Sequence, residues 1–382
     1  MVHEGYGQDM GDRGLEGVVA ATTKLSHVDG ERGELIVGGY AIGELAASAS
    51  FEEATWLLWH GELPSARQLD AFGAELAARR DVAPATMALL RDCARAAVDP
   101  MDALRMAIGT ISLRSDEPAA IVAPLPTIVA AYWRLRRGGE PLDPRSDLGH
   151  AANFLYMLTG ERPEAERVRG LETYLNTVVD HGLNASTFTA RVITSTGSDL
   201  VSAVTGAVGA LKGPLHGGAP GPALDMVFEI GTAERAEPML RARIEAGEKL
   251  MGFGHRVYKV RDPRADVLAR AAERMYTRGG DMSLYTLAQA VEAAALRLLE
   301  EYKPGRRLQT NVEFYTALLL HGLGFDVSLF TPTFAISRVS GWIAHALEQR
   351  AANRIIRPQS EYAGPRGRRW VPIDERRAAA AC

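Results

Sequence analysis

The chain has 382 residues, 47% hydrophobic and 24% charged, with a formal net charge of -4 at pH 7. That length exceeds what a single hydrophobic core usually serves, so two domains, or a large domain with a smaller lobe, are expected. The charge balance offers no basic surface for nucleic acid, and two cysteines, Cys93 and Cys382, support neither a disulfide framework nor a cysteine-rich metal site.

The N-terminal residues lack a basic segment followed by an apolar stretch, and no run of about 18 apolar residues occurs, so export and membrane spanning are not expected. A cytoplasmic setting fits. In chain order, the first signal is a hairpin, with Val18 to Val28 and Glu34 to Tyr40 flanking Asp29-Gly30, a pair suited to positive φ in a tight turn. Ser50-Phe51-Glu52-Glu53 then forms a capping-box pattern that predicts a helix through Trp56 and Leu57.

Leu104, Ala107, Ile108 and Ile111 recur at the spacing of a buried helix face, and Leu284, Leu287, Ala288 and Val291 repeat it. Between them lie Gly/Pro breaks rather than alternating Val/Ile/Thr runs, so the fold is read as mainly α with few strands. No repeat of 20 to 50 residues appears. Breakers gather at Gly213-Pro214, Gly217-Gly218 and Pro220-Gly221-Pro222, then at Pro304-Gly305 and Thr331-Pro332, flanking a segment of about one hundred residues whose edges suit a hinge.

The nine histidines show no zinc-binding spacing, so no metal is expected. His181, His216 and His255 each adjoin glycine, where a backbone approaches a ligand closely; singly, such histidines are more often structural. Arg264, Arg338 and Arg357 offer planar guanidinium forks suited to carboxylates, although isolated arginines usually form surface ion pairs. Gly252-Phe253-Gly254 lacks the third glycine and preceding strand of a dinucleotide fingerprint. With His255, Arg256 and Lys259 it instead reads as an anion-binding turn.

Read together, three segments resemble those of citrate synthases: Asp180 to Phe188 (DHGLNASTF), Lys212 to Ala219 (KGPLHGGA) and Met251 to Lys259 (MGFGHRVYK), the last continuing to Asp262-Pro263-Arg264. Asn311 to Tyr315, Phe330-Thr331-Pro332 through Arg338, Gly341-Trp342, His345 and Arg357-Pro358 continue the likeness, which spans about Leu15 to Gly364. The resemblance implies a mainly helical, two-domain homodimer. Residues 1–218 and 322–382 would form the large domain, and residues 219–321 a small CoA-binding lobe. No additional NADH-binding N-terminal domain is expected.

The resemblance further implies that His181, Arg264 and Arg338 bind oxaloacetate, with Arg357 reaching the neighbouring subunit's site. Glu313 would be the base that deprotonates acetyl-CoA, His216 the donor to the thioester oxygen and His255 the donor to the oxaloacetate carbonyl. Gly252, Phe253, Gly254, Arg256 and Lys259 would meet CoA, a co-substrate, with no permanently bound cofactor. The commoner family pattern has aspartate where this chain has Glu313, and a displacement of about 1 Å there can cost about a hundredfold in rate. Citrate synthase is therefore the first reading, 2-methylcitrate synthase acting on propionyl-CoA the second, and a non-catalytic CoA- or dicarboxylate-binding paralogue the third.

Overall fold

In the computed structural model, which describes residues 14, 15, 17–217, 220–255, 257–279 and 281–376, helices dominate and the described strands form one small sheet. Strands β1 (Ser26–Asp29), β2 (Glu34–Val37) and β3 (Tyr40–Ala41) pair antiparallel in that order, with Ser26 opposite Val37 and Ile36 opposite Ala41. The expected hairpin is present with a different turn. Positive φ falls at Gly33 (66°), not at Asp29-Gly30. Four residues separate the strands, and Asp29 Oδ1 folds them by accepting from the amides of Glu31 (3.0 Å) and Arg32 (2.9 Å). Of the extended run expected from Val18, only Ser26 onward pairs. The third strand had no distinct sequence signal.

The expected capping box opens α2 (Phe51–His60), which follows α1 (Ile42–Ser48). Ser50 Oγ accepts from the Glu53 amide at 3.2 Å, and Glu53 Oε2 accepts from the Ser50 amide at 2.7 Å. Ser65 and Gln68 repeat the device at α3 (Ala66–Ala78). Helices α4 (Pro84–Arg95), α5 (Pro100–Gly109), α6 (Pro118–Val122) and α7 (Leu125–Arg136) each carry proline in the first turn, where its missing amide hydrogen costs nothing. Leu104, Ala107 and Ile108 are buried on α5 as expected, with Ile111 buried in the 3-10 turn that follows. The segment Pro118–Arg136 is long and apolar enough to cross a membrane, but it is mostly buried inside the protein, as a core helix is.

Helices α8 (His150–Thr159), α9 (Ala165–Val178), α10 (Ala185–Ser195) and α11 (Leu200–Leu211) precede α12 (Pro220–Ile230) and α13 (Ala233–Glu245). Then come α14 (Pro263–Gly279), α15 (Ser283–Tyr302), α16 (Val312–Gly322) and α17 (Phe330–Ala351). On α15, Ala288 and Val291 are buried and Leu284 and Leu287 pack partly against the core. Helix α17 is buried on nearly every side and touches α9, α10 and α11. Gly341 makes that approach possible, since a Cβ there would lie 2.4 Å from the Val179 carbonyl oxygen. Helix α14 lies against α9, α16 and α1, which brings the segment preceding it toward the centre of the molecule. Beyond α17 the chain runs exposed and largely irregular to residue 376, with Trp370 79% exposed.

Candidate active site

Except for Arg338, which projects from the middle of α17, the candidate residues stand on element ends and loops, where backbone groups are unpaired. His181 follows α9. Its Nε2 lies 3.1 Å from Tyr258 Oη, and its ring is 5.8 Å from that of His255 and 5.7 Å from that of Tyr258. Burial, then the charges of Arg264 and Arg338, push its pKa well below the usual histidine value.

His255 is held by its own loop. The amides of Val257 (3.0 Å) and Tyr258 (3.1 Å) both donate to Nδ1, and these two shorter bonds outweigh Arg264 Nη2, 3.4 Å from Nε2, so the neutral ring carries its proton on Nε2. Burial and Arg264 hold its pKa near 4, keeping it neutral at physiological pH. His216 has the opposite arrangement. The Ser186 amide, left without an intrahelical partner in the first turn of α10, donates to His216 Nε2 at 3.4 Å, with Ser186 Oγ 2.8 Å from the same atom. An amide N–H only donates, so the neutral His216 ring carries its proton on Nδ1. Burial and Arg338 bring its pKa to about 4. Trp342 Nε1 donates to Ser186 Oγ at 3.0 Å from the buried face of α17.

Two buried guanidiniums complete the positive side. Asp262 closes on Arg264 from one direction, Oδ1 accepting from Nε (3.0 Å) and Oδ2 from Nη2 (2.7 Å). Burial opposes the Arg264 charge, but Asp262 outweighs it and the guanidinium stays charged. Arg338 Nε donates to the Val178 carbonyl at 2.6 Å, and its guanidinium lies over the Phe334 ring. Burial lowers its pKa to about 10, with Asp180 the main opposing charge.

Glu313 sits in the first turn of α16, where Asn311 Oδ1 accepts its amide at 3.0 Å. Burial pushes its carboxyl up to about 7; Arg264 opposes this shift and Asp262 adds to it. The same asparagine fixes the glycine loop. Asn311 Nδ2 donates to the Gly254 carbonyl at 2.8 Å and its amide to the Gly252 carbonyl at 3.0 Å. Gly252 (φ 86°) and Gly254 (φ 84°) have left-handed backbones, and a Cβ on Gly252 would meet Phe314 at 2.9 Å. Phe253, between them, pairs with Thr310 and packs its ring 5.3 Å from Phe314.

A second set of groups, which sequence reasoning did not assign roles, holds these segments in place. Asp180, fully buried, accepts from Ser26 Oγ at 2.5 Å, and Ser26 Oγ accepts the Gly182 amide at 2.9 Å. Arg191 Nη1 donates to His345 Nδ1 at 2.8 Å, so His345 Nε2–H faces Asp180, 3.2 Å from Oδ1. On the other side of the hairpin the Lys259 amide donates to the Gly30 carbonyl at 2.9 Å, and a Cβ on Gly30 would meet the Val257 carbonyl oxygen at 2.2 Å. Sequence signals for these contacts were the Asp-Pro-Arg helix start and the presence of Asp180, Ser186, Trp342 and His345 inside the quoted motifs.

Thus His181, His255, Tyr258, Asp262 and Arg264 form one contact set, and Arg338 and Glu313 act on it electrostatically. Arg357 is not brought there, being exposed on the segment after α17. The Lys259 side chain is also exposed, and Arg256 lies outside the described residues. No group of three or more His, Cys, Asp or Glu suited to a metal occurs among the described residues. A cavity of about 190 Å³ lined by Val82, Thr86, Thr110, Arg114 and Ile128 lies elsewhere and contains none of the candidate residues.

The family model for the citrate synthase C-terminal domain matches residues 14–359. The chain belongs to the citrate synthase family. It is 44% identical over 376 residues to citrate synthase 2 of Bacillus subtilis, covering 95% of this chain and 99% of that one. It is 42% identical over 369 residues to the 2-methylcitrate synthase of Mycobacterium tuberculosis, covering 92% and 90%. The structure of a ternary complex of carboxymethyl coenzyme A and oxaloacetate with citrate synthase from Thermoplasma acidophilum superposes with a TM-score of 0.87 at 30% identity, covering 95% of this chain and 98% of that one. This family member is a condensing acyltransferase with the citrate synthase fold.

Proposed function

We propose that the protein condenses acetyl-CoA with oxaloacetate and hydrolyses the resulting thioester to citrate and CoA. The observation that carries this reading is a buried carboxyl poised near neutrality, Glu313, under the influence of Arg264 and Asp262, together with two neutral imidazoles, His216 and His255, each accepting from backbone amides through one ring nitrogen. Removing a methyl proton from a thioester demands a base that is ionised at working pH and a donor for the enolate oxygen as it forms. Glu313 takes the proton, and His216 Nδ1–H donates to the thioester oxygen. The enolate carbon attacks the keto carbon of oxaloacetate, and His255 Nε2–H donates to the oxygen that becomes the alkoxide. Water then cleaves the thioester, releasing CoA.

His181, Arg264 and Arg338 bind the dicarboxylate. Arg264 retains N–H groups beyond those taken by Asp262, and Arg338 those beyond its bond to Val178. Arg357 serves the site of a second subunit in a homodimer. Residues 219–321 act as a lobe that presents Gly252, Phe253 and Gly254 to CoA, with Lys259 and Arg256 toward its phosphates. Because Asn311 ties this loop to the start of α16, placing CoA also places Glu313.

Thiol release with oxaloacetate and either acetyl-CoA or propionyl-CoA tests the reading. Faster release from acetyl-CoA supports it. Faster release from propionyl-CoA assigns 2-methylcitrate synthase, which the 42% identity to such an enzyme keeps in view. No release from either overturns both.

A further inference from the structure

Tyr174 lies on α9 with its side chain wholly buried, and its hydroxyl has no hydrogen-bond partner among the described residues. An unpaired buried hydroxyl is worse than the phenylalanine that would fill the same space, so its presence points to a partner acquired when the site is loaded. The charged groups acting on this hydroxyl are Glu313 from α16 and Arg338 from α17. Arg264 and Asp262, from the start of α14, act on Glu313. The acidic groups of α2, Glu52 and Glu53, act instead on Glu172, with Arg169 beside it. Among the described residues nothing donates to the Glu313 carboxylate; its bond to Asn311 is through the backbone. Glutamate reaches one methylene further than aspartate and has one more torsion to fix.

Building on the assignment of Glu313 as the base, we propose that Tyr174 is a positioning residue. Its phenol O–H donates to the Glu313 carboxylate in the loaded site and aims the longer side chain at the acyl methyl group. A donor to the ionised form also favours that form, so the hydroxyl makes the base available at lower pH.

The test is Tyr174→Phe in the full-length protein, alone and combined with Glu313→Asp, assayed by CoA release across pH, with oxaloacetate affinity measured by calorimetry. Wild-type turnover establishes the underlying reaction; its absence defeats the assignment of Glu313 and this inference together. Given turnover, Phe is expected to lower kcat about tenfold and to move the acid limb of kcat upward by about half a pH unit or more. Oxaloacetate affinity and thermal stability should not fall. In the Glu313→Asp background, whose carboxylate is set back, Phe should change kcat by less than about twofold.

Unchanged kcat and pH profile in the single variant overturn the proposal while leaving the reaction intact. Weaker oxaloacetate binding with an unmoved acid limb also overturns it, by giving the hydroxyl to the substrate carboxylate near Arg338. If Phe does not fold, 3-fluorotyrosine placed at position 174, a more acidic donor, should move the limb downward; an unmoved limb refutes the proposal.

Discussion

Glu313→Gln separates the ionisation of the base from its shape. Glutamine has nearly the volume of the neutral acid and never ionises. Burial holds the Glu313 carboxyl at about 7, against the ordinary glutamate value of 4.5. Because the folded value is raised, the neutral carboxyl contributes stability that is fully present below 4.5 and lost as pH rises through about 7. A gap of roughly 2.5 units at about 1.36 kcal/mol per unit gives about 3 kcal/mol of destabilisation once the group is ionised. The Gln variant should therefore be more stable than wild type by about 3 kcal/mol at pH 8, by about 1 kcal/mol near pH 5.5, and equal to it near pH 4. His216 and His255 titrate over the acid range in both proteins and largely drop out of the difference. Urea unfolding followed by circular dichroism, at equal chain concentration and several pH values, measures it. Thiol release by the same variant should fall by about a thousandfold. A stability difference that stays flat with pH, or a Gln variant less stable at pH 8, would refute the view that a desolvated carboxyl is kept there at a cost in stability.

The same poised carboxyl predicts that kcat/KM rises with pH through about 7, while neutral His216 and His255 impose no further loss above their values near 4; a rate independent of pH from 5 to 8 would contradict this. Gly341→Ala places a methyl 2.4 Å from the Val179 carbonyl oxygen, and thermal melts should show a loss of about 3 kcal/mol or more as α17 is forced away. Ser186→Ala deprives Trp342 Nε1 of its acceptor and should cost about 1 to 3 kcal/mol, with kcat also reduced as His216 loses a neighbour. Arg264→Lys cannot reproduce the two-point contact with Asp262, and KM for oxaloacetate should rise about tenfold or more.

What the sequence made legible was local or motif-borne. The Ser50 to Glu53 box could be read because both of its hydrogen bonds lie within four residues, and the buried faces of α5 and α15 because periodicity reports burial directly. The hairpin was found but its turn misplaced: Asp29-Gly30 has the composition of a two-residue turn, whereas the carboxylate of Asp29 builds a longer one that needs its left-handed residue at Gly33. The histidines and arginines stood out through their motifs. Their proton positions did not, because these depend on the Ser186 amide and on the Val257 and Tyr258 amides, whose directions exist only in the folded chain. Tyr174 gave no signal at all. A tyrosine in an apolar helical pattern looks like core, and only its unpaired hydroxyl distinguishes it. Arg357, prominent by motif, stays outside the single-chain site.

The N-terminal hairpin touches both histidine-bearing loops, Ser26 holding the His181 segment through Asp180 and Gly182, and Gly30 holding the His255 segment through Val257 and Lys259. Two stretches more than seventy residues apart are thus spaced by one short ribbon near the start of the chain. For anyone building chimaeras among relatives, a crossover just after the hairpin, though it falls in a loop and severs no helix, would pair one parent's ruler with another parent's site. Such hybrids should express and fold yet turn over poorly until residues 26–37 and the 255–261 loop are inherited from the same parent.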